Sequence, residues 1–183
     1  MVIDKGTRPI ETPRLLLRRF ELSDAQQMFD NWANNAAVCR FLPWPPHGTI
    51  SVTQSLVKNW VDAYESDDRY HWAMVLKSTT QVVGSISVSQ MWPKNACCEL
   101  GYCMSEQYWG QGLTTEAVQA VIAYLLQEVG MHRIQAHHDT QNPASGRVME
   151  KSGMQMEGTL RHSRMRDDGT FADWNIWAIV ADA

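Results

Sequence analysis

Between residues 113 and 129, apolar and polar residues follow one another with the period of an α-helix. The apolar residues fall at the i, i+3, i+4, i+7, i+8 and i+11 positions, so they share one face. They are Val118, Val121, Ile122, Leu125, Leu126 and Val129. Gly130 comes next, and glycine at this position commonly ends a helix. The pattern predicts an amphipathic helix of four or five turns.

Short β-rich segments predict strands in the rest of the chain. Three of them, joined by polar turns, follow one another as in an antiparallel meander. The last two are separated by Asp167-Asp168-Gly169, a sequence typical of a hairpin turn. The predicted strands are 14–20, 70–77, 81–91, 96–105, 132–139, 154–166 and 171–181.

Three further helices are predicted from capping residues and spacing. The first opens with a capping-box pattern at Ser23 and Gln26. The second follows a loop with three prolines, and its apolar residues recur at i+4. The third is short and a glycine closes it. They cover 23 to about 34, the segment with Leu56, Trp60 and Tyr64, and 144–152.

The predicted elements follow the order β-α-α-β-β-β-α-β-α-β-β. A run of antiparallel strands followed by a β-α-β unit implies a mixed sheet with helices on both faces. The predicted fold class is therefore α/β, with a mainly antiparallel sheet. In such a sheet, a ligand is expected where strand ends and a helix N-terminus meet.

That meeting point carries two glycines. Gly110 and Gly112 precede the amphipathic helix, and both lack a Cβ atom at a point where the backbone must turn tightly. The first helical turn then presents unpaired N–H groups and the positive end of the helix dipole, which favour an anion. The alternative is an ordinary short loop. A dinucleotide fingerprint needs a third glycine and a P-loop needs Gly-Lys-Ser/Thr, and both are missing.

Composition limits the function classes. A chain of 183 residues with 44% hydrophobic residues suits one domain over 1–183. The net charge of −4 argues against a nucleic-acid partner. Charges interrupt the longest apolar stretches, and the N-terminus lacks a signal-peptide core, so we expect a cytoplasmic protein without a membrane partner. The four cysteines lack zinc-type spacing, and we expect buried thiols with no metal.

Several motifs along the chain occur together in one known family. Gln107-x-x-Gly110-x-Gly112 resembles the signature of the GNAT superfamily of acyl-CoA N-acyltransferases. Other segments resemble its branch of bacterial ribosomal-protein alanine N-acetyltransferases. They are 11–18, Gly84, 99–102, 115–117, Asn142 with Ser145, 151–153 and 157–158. The resemblance spans nearly the whole chain and implies a GNAT-like sheet with a splayed central strand pair that holds acetyl-CoA.

The resemblance implies where acetyl-CoA, the co-substrate, would bind. Backbone groups of Cys103 and Met104 would follow the pantetheine arm, and the amides of the glycine turn would bind the pyrophosphate. Asn142 and Ser145 match the family pair near the pantetheine amide and the thiol, although the same residues could simply start a helix. The implied cofactor residues are Cys103, Met104, Gln107, Gly110, Gln111, Gly112, Leu113, Thr114, Thr115, Asn142 and Ser145.

The reaction that the resemblance implies is direct attack of an amine on the thioester in a ternary complex. A backbone N–H near Met104 would stabilise the oxyanion, and Ser145 is the candidate acid for the leaving thiolate. Glu99 is the candidate base, with His137 and His162 as alternatives. In the structural alternative, Glu99 is an edge residue or the ion-pair partner of a basic side chain.

The acceptor is the least constrained part of the prediction. The resemblance places the proline-rich loop and the second helix at the acceptor wall, where Phe41, Trp44 and Tyr64 either shape a pocket or belong to the core. An acidic residue is expected in the first strand of the final hairpin, but residues 161–166 read RHSRMR. That basic segment disfavours a polyamine and is easier to place beside an acceptor with carboxylates.

Three functions therefore compete. The first is acetylation of the N-terminal amine of a peptide or ribosomal protein. The second is acetylation of a small amine, such as an antibiotic, amino acid or metabolite, and the third is a silent acyl-CoA sensor. An α-amine is ~10% neutral at pH 7 and a lysine ε-amine ~0.04%, so an N-terminal acceptor needs less help from a base. The resemblance also allows a homodimer.

Overall fold

The computed structural model describes residues 2–166 and 169–181, and its centre is an eight-stranded sheet. The strands are β1 (Ile10–Glu11), β2 (Leu15–Arg18), β3 (His71–Leu76), β4 (Val82–Trp92), β5 (Cys97–Met104), β6 (Arg133–Asp139), β7 (Gln155–Met165) and β8 (Phe171–Val180). Their order is β1-β2-β3-β4-β5-β6-β8-β7, and neighbours are antiparallel except for the parallel pair β5 and β6. The mixed, mainly antiparallel sheet is confirmed. Asp167 and Asp168 of the predicted hairpin turn lie outside the described residues.

The described residues form five α-helices. They are α1 (Asp24–Met28), α2 (Ala36–Cys39), α3 (Ile50–Ala63), α4 (Leu113–Tyr124) and α5 (Pro143–Lys151). A wider, π-type turn extends α1 over Phe29–Ala33 and α4 over Leu125–Val129. Gly130 then ends the long helix with φ at +80°, as predicted. Within 2–166 and 169–181, none of these helices combines the length and hydropathy needed to cross a bilayer.

The N-terminal part differs from the prediction. Strand β1 has two residues and helix α2 has four, which is too short to leave a periodic pattern. The predicted capping box is wrong, because Ser23 is itself helical (φ −64°, ψ −20°) and its side chain caps nothing in the helix. Asp24 stabilises this turn instead. Its carboxylate accepts the Glu21 N–H at 2.8 Å and pairs with Arg18 at 2.7 Å.

The sheet separates two cores, and alternate residues of β3 reach each of them. Trp72 and Met74 pack on the α4 side, whereas Ala73 and Val75 pack on the side of α1 and α3. The apolar stripe of α4 and its extension lies in the first core and includes the fully buried residues Val118, Val121, Leu125 and Val129. The predicted helix face is therefore the face that the sheet covers. The four cysteines are buried as free thiols.

Strands β5 and β6 diverge soon after they meet. Their parallel pairing covers Cys97–Glu99 of β5 and Arg133–Gln135 of β6. Beyond Glu99 the two strands separate, while β5 stays paired with β4. Gly84 of β4 permits this close pairing, because a Cβ there would collide with the Cys103 carbonyl oxygen. The expected splayed strand pair is present, and its gap opens beyond Glu99.

Candidate active site

A cavity of about 1080 Å³ opens in the gap between β5 and β6. The glycine turn borders it on one side, and the segment between α2 and α3 and the β7–β8 hairpin border it on the other. The predicted site residues that line it are Glu99, Cys103, Met104, Gly110, Gly112, Leu113, Thr114, Thr115, Asn142 and Ser145, with Phe41, Trp44 and Tyr64. Gln107 and Gln111 do not line it, and both are exposed. The fold thus brings most of the predicted residues to one cavity.

The glycine turn has a backbone conformation that favours glycine. Gly110 and Gly112 have φ angles of +73° and +76°, in the left-handed region where other residues are strained. A Cβ at Gly110 would have open space, and one at Gly112 would meet only the Arg14 guanidinium at 3.6 Å. The conformation of the turn, and not crowding inside the protein, therefore requires both glycines.

Helix α4 begins at this turn with free backbone donors. The Glu116 N–H donates to the Gly112 carbonyl at 3.1 Å, so the N–H groups of the three residues between them have no acceptor within the helix. Those residues, Leu113, Thr114 and Thr115, all border the cavity. The positive end of the helix dipole adds to the attraction for a phosphate. This end of the cavity fits the pyrophosphate of acetyl-CoA.

Two side chains that are distant from each other in sequence hold the turn in place. The Arg14 guanidinium donates to Glu116 Oε2 at 2.7 Å and to the Gln111 carbonyl at 2.8 Å. Glu116 Oε1 accepts the Arg14 N–H at 2.8 Å and the Thr12 hydroxyl at 2.6 Å. Burial alone would raise the pKa of Glu116, but these hydrogen bonds outweigh burial and lower it. The carboxylate is therefore ionised at neutral pH and ties the start of β2 to the turn.

The open edge of β5 offers backbone donors to a ligand. The Ser105 N–H donates to the Val83 carbonyl beside it at 2.8 Å, and successive residues of a strand direct their N–H groups to opposite edges. The N–H groups of Met104 and Tyr102 therefore point into the gap. The Trp109 indole donates to the Met104 carbonyl at 2.8 Å. Met104 thus has its carbonyl occupied and its N–H directed towards the cavity, as its predicted role requires.

The N-terminus of α5 forms the opposite wall of the gap. Asn142 caps this helix, because its side-chain oxygen accepts the Ser145 N–H at 3.4 Å, and Pro143 occupies the first turn. Asn142 and Ser145 also border the cavity, so a cap and a ligand contact are compatible. The Ser145 hydroxyl lies 2.9 Å from the hydroxyl of Tyr102, which reaches across from β5. Burial raises the pKa of Tyr102 above its usual value, so the phenol is protonated at neutral pH.

Glu99 and His137 form a pair at the root of the gap. His137 Nδ1 lies 3.5 Å from Glu99 Oε2, and the imidazole stacks on Trp174 with ring centroids 3.8 Å apart. Gln135 and Ser89 donate to the two carboxylate oxygens at 3.1 and 3.2 Å. Burial alone would raise the pKa of Glu99, but the hydrogen bonds from these neighbours lower it on balance. An ionised Glu99 is a weak proton acceptor, and it is well suited to orienting His137.

The arginines of the final hairpin are less available than the sequence suggests. Arg166 donates to both oxygens of Asp139, at 2.9 and 3.0 Å. Arg161 is exposed and does not border the cavity. Arg164 borders the cavity and donates to the Leu42 carbonyl at 3.0 Å. Among the described residues, Arg164 is the hairpin arginine that reaches the cavity without a carboxylate partner.

The acceptor wall contains the three predicted aromatic residues, in different roles. Tyr64 belongs mainly to the core, because its hydroxyl donates to the His71 carbonyl at 2.7 Å and burial raises its pKa to about 12. Phe41 and Trp44 lie in the loop between α2 and α3 and border the cavity.

His162, the remaining base candidate, is exposed on β7 away from the cavity. In the part of the chain that the structure describes, no cluster of three metal-ligating side chains occurs.

Arg14, Glu116, Tyr102 and Trp174 are among the residues of the site that had no predicted role. Arg14, Glu116 and Tyr102 lie within the motif segments that carry the family resemblance, so the motifs were a usable signal for them. Trp174 left no such signal. Its stacking on His137 depends on the pairing of β6 with β8, which places Trp174 opposite Asp139.

Comparison with known proteins gives a consistent result. A family model described as an acetyltransferase (GNAT) domain matches residues 14–155. The uncharacterized N-acetyltransferase YoaA of Bacillus subtilis is 30% identical over 171 residues, which cover 93% of this chain and 96% of that protein. The ribosomal protein uS5 alanine N-acetyltransferase of Escherichia coli is 25% identical over 177 residues, with 93% and 90% covered. The crystal structure of a GNAT-family acetyltransferase from Bacillus anthracis has a TM-score of 0.83 and 26% identity, with 94% and 98% covered.

Proposed function

The chain belongs to the GNAT family of acetyltransferases, which use acetyl-CoA as the acetyl donor, and from that premise we propose that its acceptor is the N-terminal amine of a peptide. The Glu99–His137 pair at the root of the gap carries the proposal. An imidazole that a carboxylate orients can accept the proton of an amine that is already partly neutral. The similarity to a ribosomal-protein alanine N-acetyltransferase over most of both chains supports a peptide acceptor.

The basicity of the acceptor decides how much help the reaction needs. A peptide α-amine has a pKa near 7.7–8.0 and a lysine ε-amine near 10.4, so the ε-amine requires roughly 2.5 pK units, or about 3.5 kcal/mol, more for deprotonation. One histidine and one ionised carboxylate suit the first task better than the second. The site therefore favours an α-amine over a lysine side chain.

The donor side of the gap would bind and activate acetyl-CoA. The amides of the glycine turn and of the first turn of α4 bind the pyrophosphate, while Arg14 and Glu116 hold the turn in shape. The Met104 N–H, which points into the gap, donates to the thioester oxygen as that oxygen gains negative charge. This arrangement favours the transition state of acetyl transfer over the bound ground state.

The proton transfers would be divided between the two walls of the gap. His137 takes the proton of the attacking amine, while Glu99 stabilises the imidazolium that forms. The Ser145 hydroxyl supplies the proton that the leaving thiolate takes up. Because the His137 ring is stacked on Trp174, it keeps its orientation without a further hydrogen bond.

Thiol release from acetyl-CoA over a panel of acceptors tests the proposal. The panel contains short peptides with a free N-terminal alanine, the same peptides blocked at the N-terminus, and polyamines, aminoglycosides and free amino acids. We expect release with the free peptides and a fall of about 100-fold in His137→Gln. His132→Gln is the matched control, because His132 is exposed outside the cavity. Activity confined to small amines would contradict the proposal of a peptide acceptor. CoA binding without turnover on any amine would indicate a silent acyl-CoA sensor.

A further inference from the structure

Tyr102 joins the two walls of the gap between β5 and β6. It belongs to β5, and its hydroxyl contacts α5, where it lies 2.9 Å from Ser145 Oγ and 3.0 Å from the Ser145 carbonyl oxygen. Both residues border the cavity. Among residues 2–166 and 169–181, the phenol has no third hydrogen-bond partner.

The hydroxyl hydrogens of Tyr102 and Ser145 can be placed in two arrangements that fit these distances. A carbonyl oxygen can only accept, so in the first arrangement the Tyr102 O–H donates to the carbonyl and the Ser145 O–H donates to Tyr102. In the second, the Tyr102 O–H donates to Ser145 Oγ, which frees the Ser145 hydrogen for another acceptor. The two arrangements differ by rotation of two hydroxyl hydrogens and need no movement of heavy atoms. Only the second lets Ser145 act as an acid.

A phenol also improves the chemistry of this acid. An aliphatic hydroxyl that gives up its proton becomes a strongly basic alkoxide, whereas a phenol loses its proton far more readily. If Tyr102 passes a proton to Ser145 while Ser145 passes one to the thiolate, the charge ends on the phenolic oxygen and no serine alkoxide forms. Burial raises the pKa of Tyr102, which keeps the phenol protonated before the reaction. It also makes this phenol a weaker acid than an exposed one, but still a stronger acid than an aliphatic hydroxyl.

We propose that Tyr102 and Ser145 form a two-hydroxyl proton relay to the leaving thiolate; this inference rests on the proposed acetyl transfer. As the amine nitrogen bonds to the carbonyl carbon, the C–S bond breaks and its electron pair stays on sulfur. Sulfur takes the Ser145 proton, and Ser145 Oγ takes the Tyr102 proton. The phenolate regains a proton from water in the emptied cavity, and the proton of the amine leaves through His137, so protons and charge balance. Tyr102 acts through Ser145 and is a positioning residue.

The experiment compares Tyr102→Phe, Ser145→Ala and the double variant, with acetyl-CoA and a peptide that has a free N-terminal alanine. We expect Tyr102→Phe to lower kcat about 10-fold and Ser145→Ala about 100-fold, with little change in the KM for acetyl-CoA. The double variant should match Ser145→Ala, because the relay runs through Ser145. Tyr124→Phe is the matched control. It also removes a phenol hydroxyl that donates to a backbone carbonyl, at 2.8 Å, but outside the cavity.

A proton inventory separates a relay from a purely structural role. In mixtures of light and heavy water, the relay predicts a dependence of kcat that curves more for the wild type than for Tyr102→Phe, because the variant moves one proton fewer. A straight line for the wild type overturns the relay, and this test does not depend on any variant folding. The relay is also overturned if Tyr102→Phe keeps the kcat of the wild type. It is overturned as well if the fold-losses in kcat of the two single variants multiply in the double variant. If the wild type acetylates no amine at all, the proposed function fails and the relay falls with it.

Discussion

The two halves of the cavity are held in different ways. On the donor side, Arg14 donates both to Glu116 and to the Gln111 carbonyl, so a side chain from outside the glycine turn fixes its shape. The acceptor side consists of the loop residues 41–46 and the Glu99–His137 pair. Among the described residues, one hydrogen bond reaches this loop from a distant element, and in it Arg164 donates to the Leu42 carbonyl. The donor side is a fixed frame, whereas the acceptor side depends on few polar contacts.

This difference follows from what each half must bind. The phosphates of acetyl-CoA are the same for every acceptor, so one rigid set of backbone amides serves throughout a family. The acceptor is the variable reactant, and a loop with few fixed contacts can change its side chains without disturbing the sheet. The same contrast explains why sequence motifs identify the donor and leave the acceptor to experiment.

The largest expected effect comes from Gly112→Val on the donor side. A β-branched side chain at φ +76° is strained, so the turn must change shape and its amides lose their alignment. We expect CoA binding to weaken at least ~100-fold by calorimetry. Gly48→Val is the control, because Gly48 has a similar φ of +67° and open space around its Cβ position, outside the cavity. Equal CoA affinity in Gly112→Val and wild type would contradict the role of the turn.

A second effect concerns the Glu99–His137 pair on the acceptor side. Glu99→Gln removes the carboxylate that orients His137 and balances the charge it gains in the reaction, so we expect kcat/KM to fall more than ~10-fold. Glu157→Gln is the control, since Glu157 also has a lowered pKa, through its hydrogen bond with Arg133, but lies outside the cavity. A kcat/KM equal to that of the wild type in Glu99→Gln would remove the pair from the mechanism.

The same carboxylate predicts a stability effect with a definite sign. The folded-state pKa of Glu99 lies below its usual value, so Glu99 contributes stability that is present above the unfolded pKa of about 4.3 and is lost as the pH falls through the folded pKa. In acid-unfolding curves, Glu99→Gln should lose less stability than the wild type over that window. Parallel curves for the two proteins would show that the pair contributes no such linkage.

A smaller effect is expected from Arg14→Ala. The change removes the donor to the Gln111 carbonyl and the partner of Glu116, but leaves the turn amides in the chain. We expect the KM for acetyl-CoA to rise about 10-fold, equivalent to one charge-assisted hydrogen bond, with kcat less affected. Lys77→Ala is the control, because it breaks an exposed ion pair with Glu11 at 3.0 Å. An unchanged KM in Arg14→Ala would mean that the turn keeps its shape unaided.

The smallest effect is expected from Arg164→Ala, which removes the hydrogen bond to the Leu42 carbonyl in the loop between α2 and α3. Because one hydrogen bond to a partly exposed backbone carbonyl is lost, we expect the KM for the peptide to rise about 3-fold while the KM for acetyl-CoA stays constant. Arg161→Ala serves as the control for loss of positive charge on the same hairpin. A rise in the KM for acetyl-CoA instead would place Arg164 on the donor side and weaken the contrast between the halves.

Local patterns predicted the donor side well. Helix α4 and the glycine turn are contiguous in sequence, so periodicity and two glycines suffice to describe them. The capping box at Ser23 failed for a local reason too, because Asp24 satisfies the same turn through a different geometry. Position in the motif was enough to suggest Glu99, Met104 and Ser145, whose side chains or N–H groups the structure brings to the cavity.

The acceptor side could not be predicted to the same depth. The contact between Glu99 and His137 exists because β5 and β6 pair in parallel with Glu99 opposite Gln135. Nothing in either segment alone specifies that register. The pairing of Arg166 with Asp139 likewise joins the hairpin to β6, and it removes one arginine that the sequence offered to the acceptor. Contacts between distant elements are what sequence patterns leave out.

The choice of acceptor amine can be tested with one peptide that carries both a free N-terminal alanine and an internal lysine. After incubation with acetyl-CoA, fragment-ion mass spectrometry assigns the position of the acetyl group. We predict that the N-terminal amine carries it and that the lysine stays unmodified. Acetylation of the lysine at an equal or greater rate would show that this site does not select peptide α-amines.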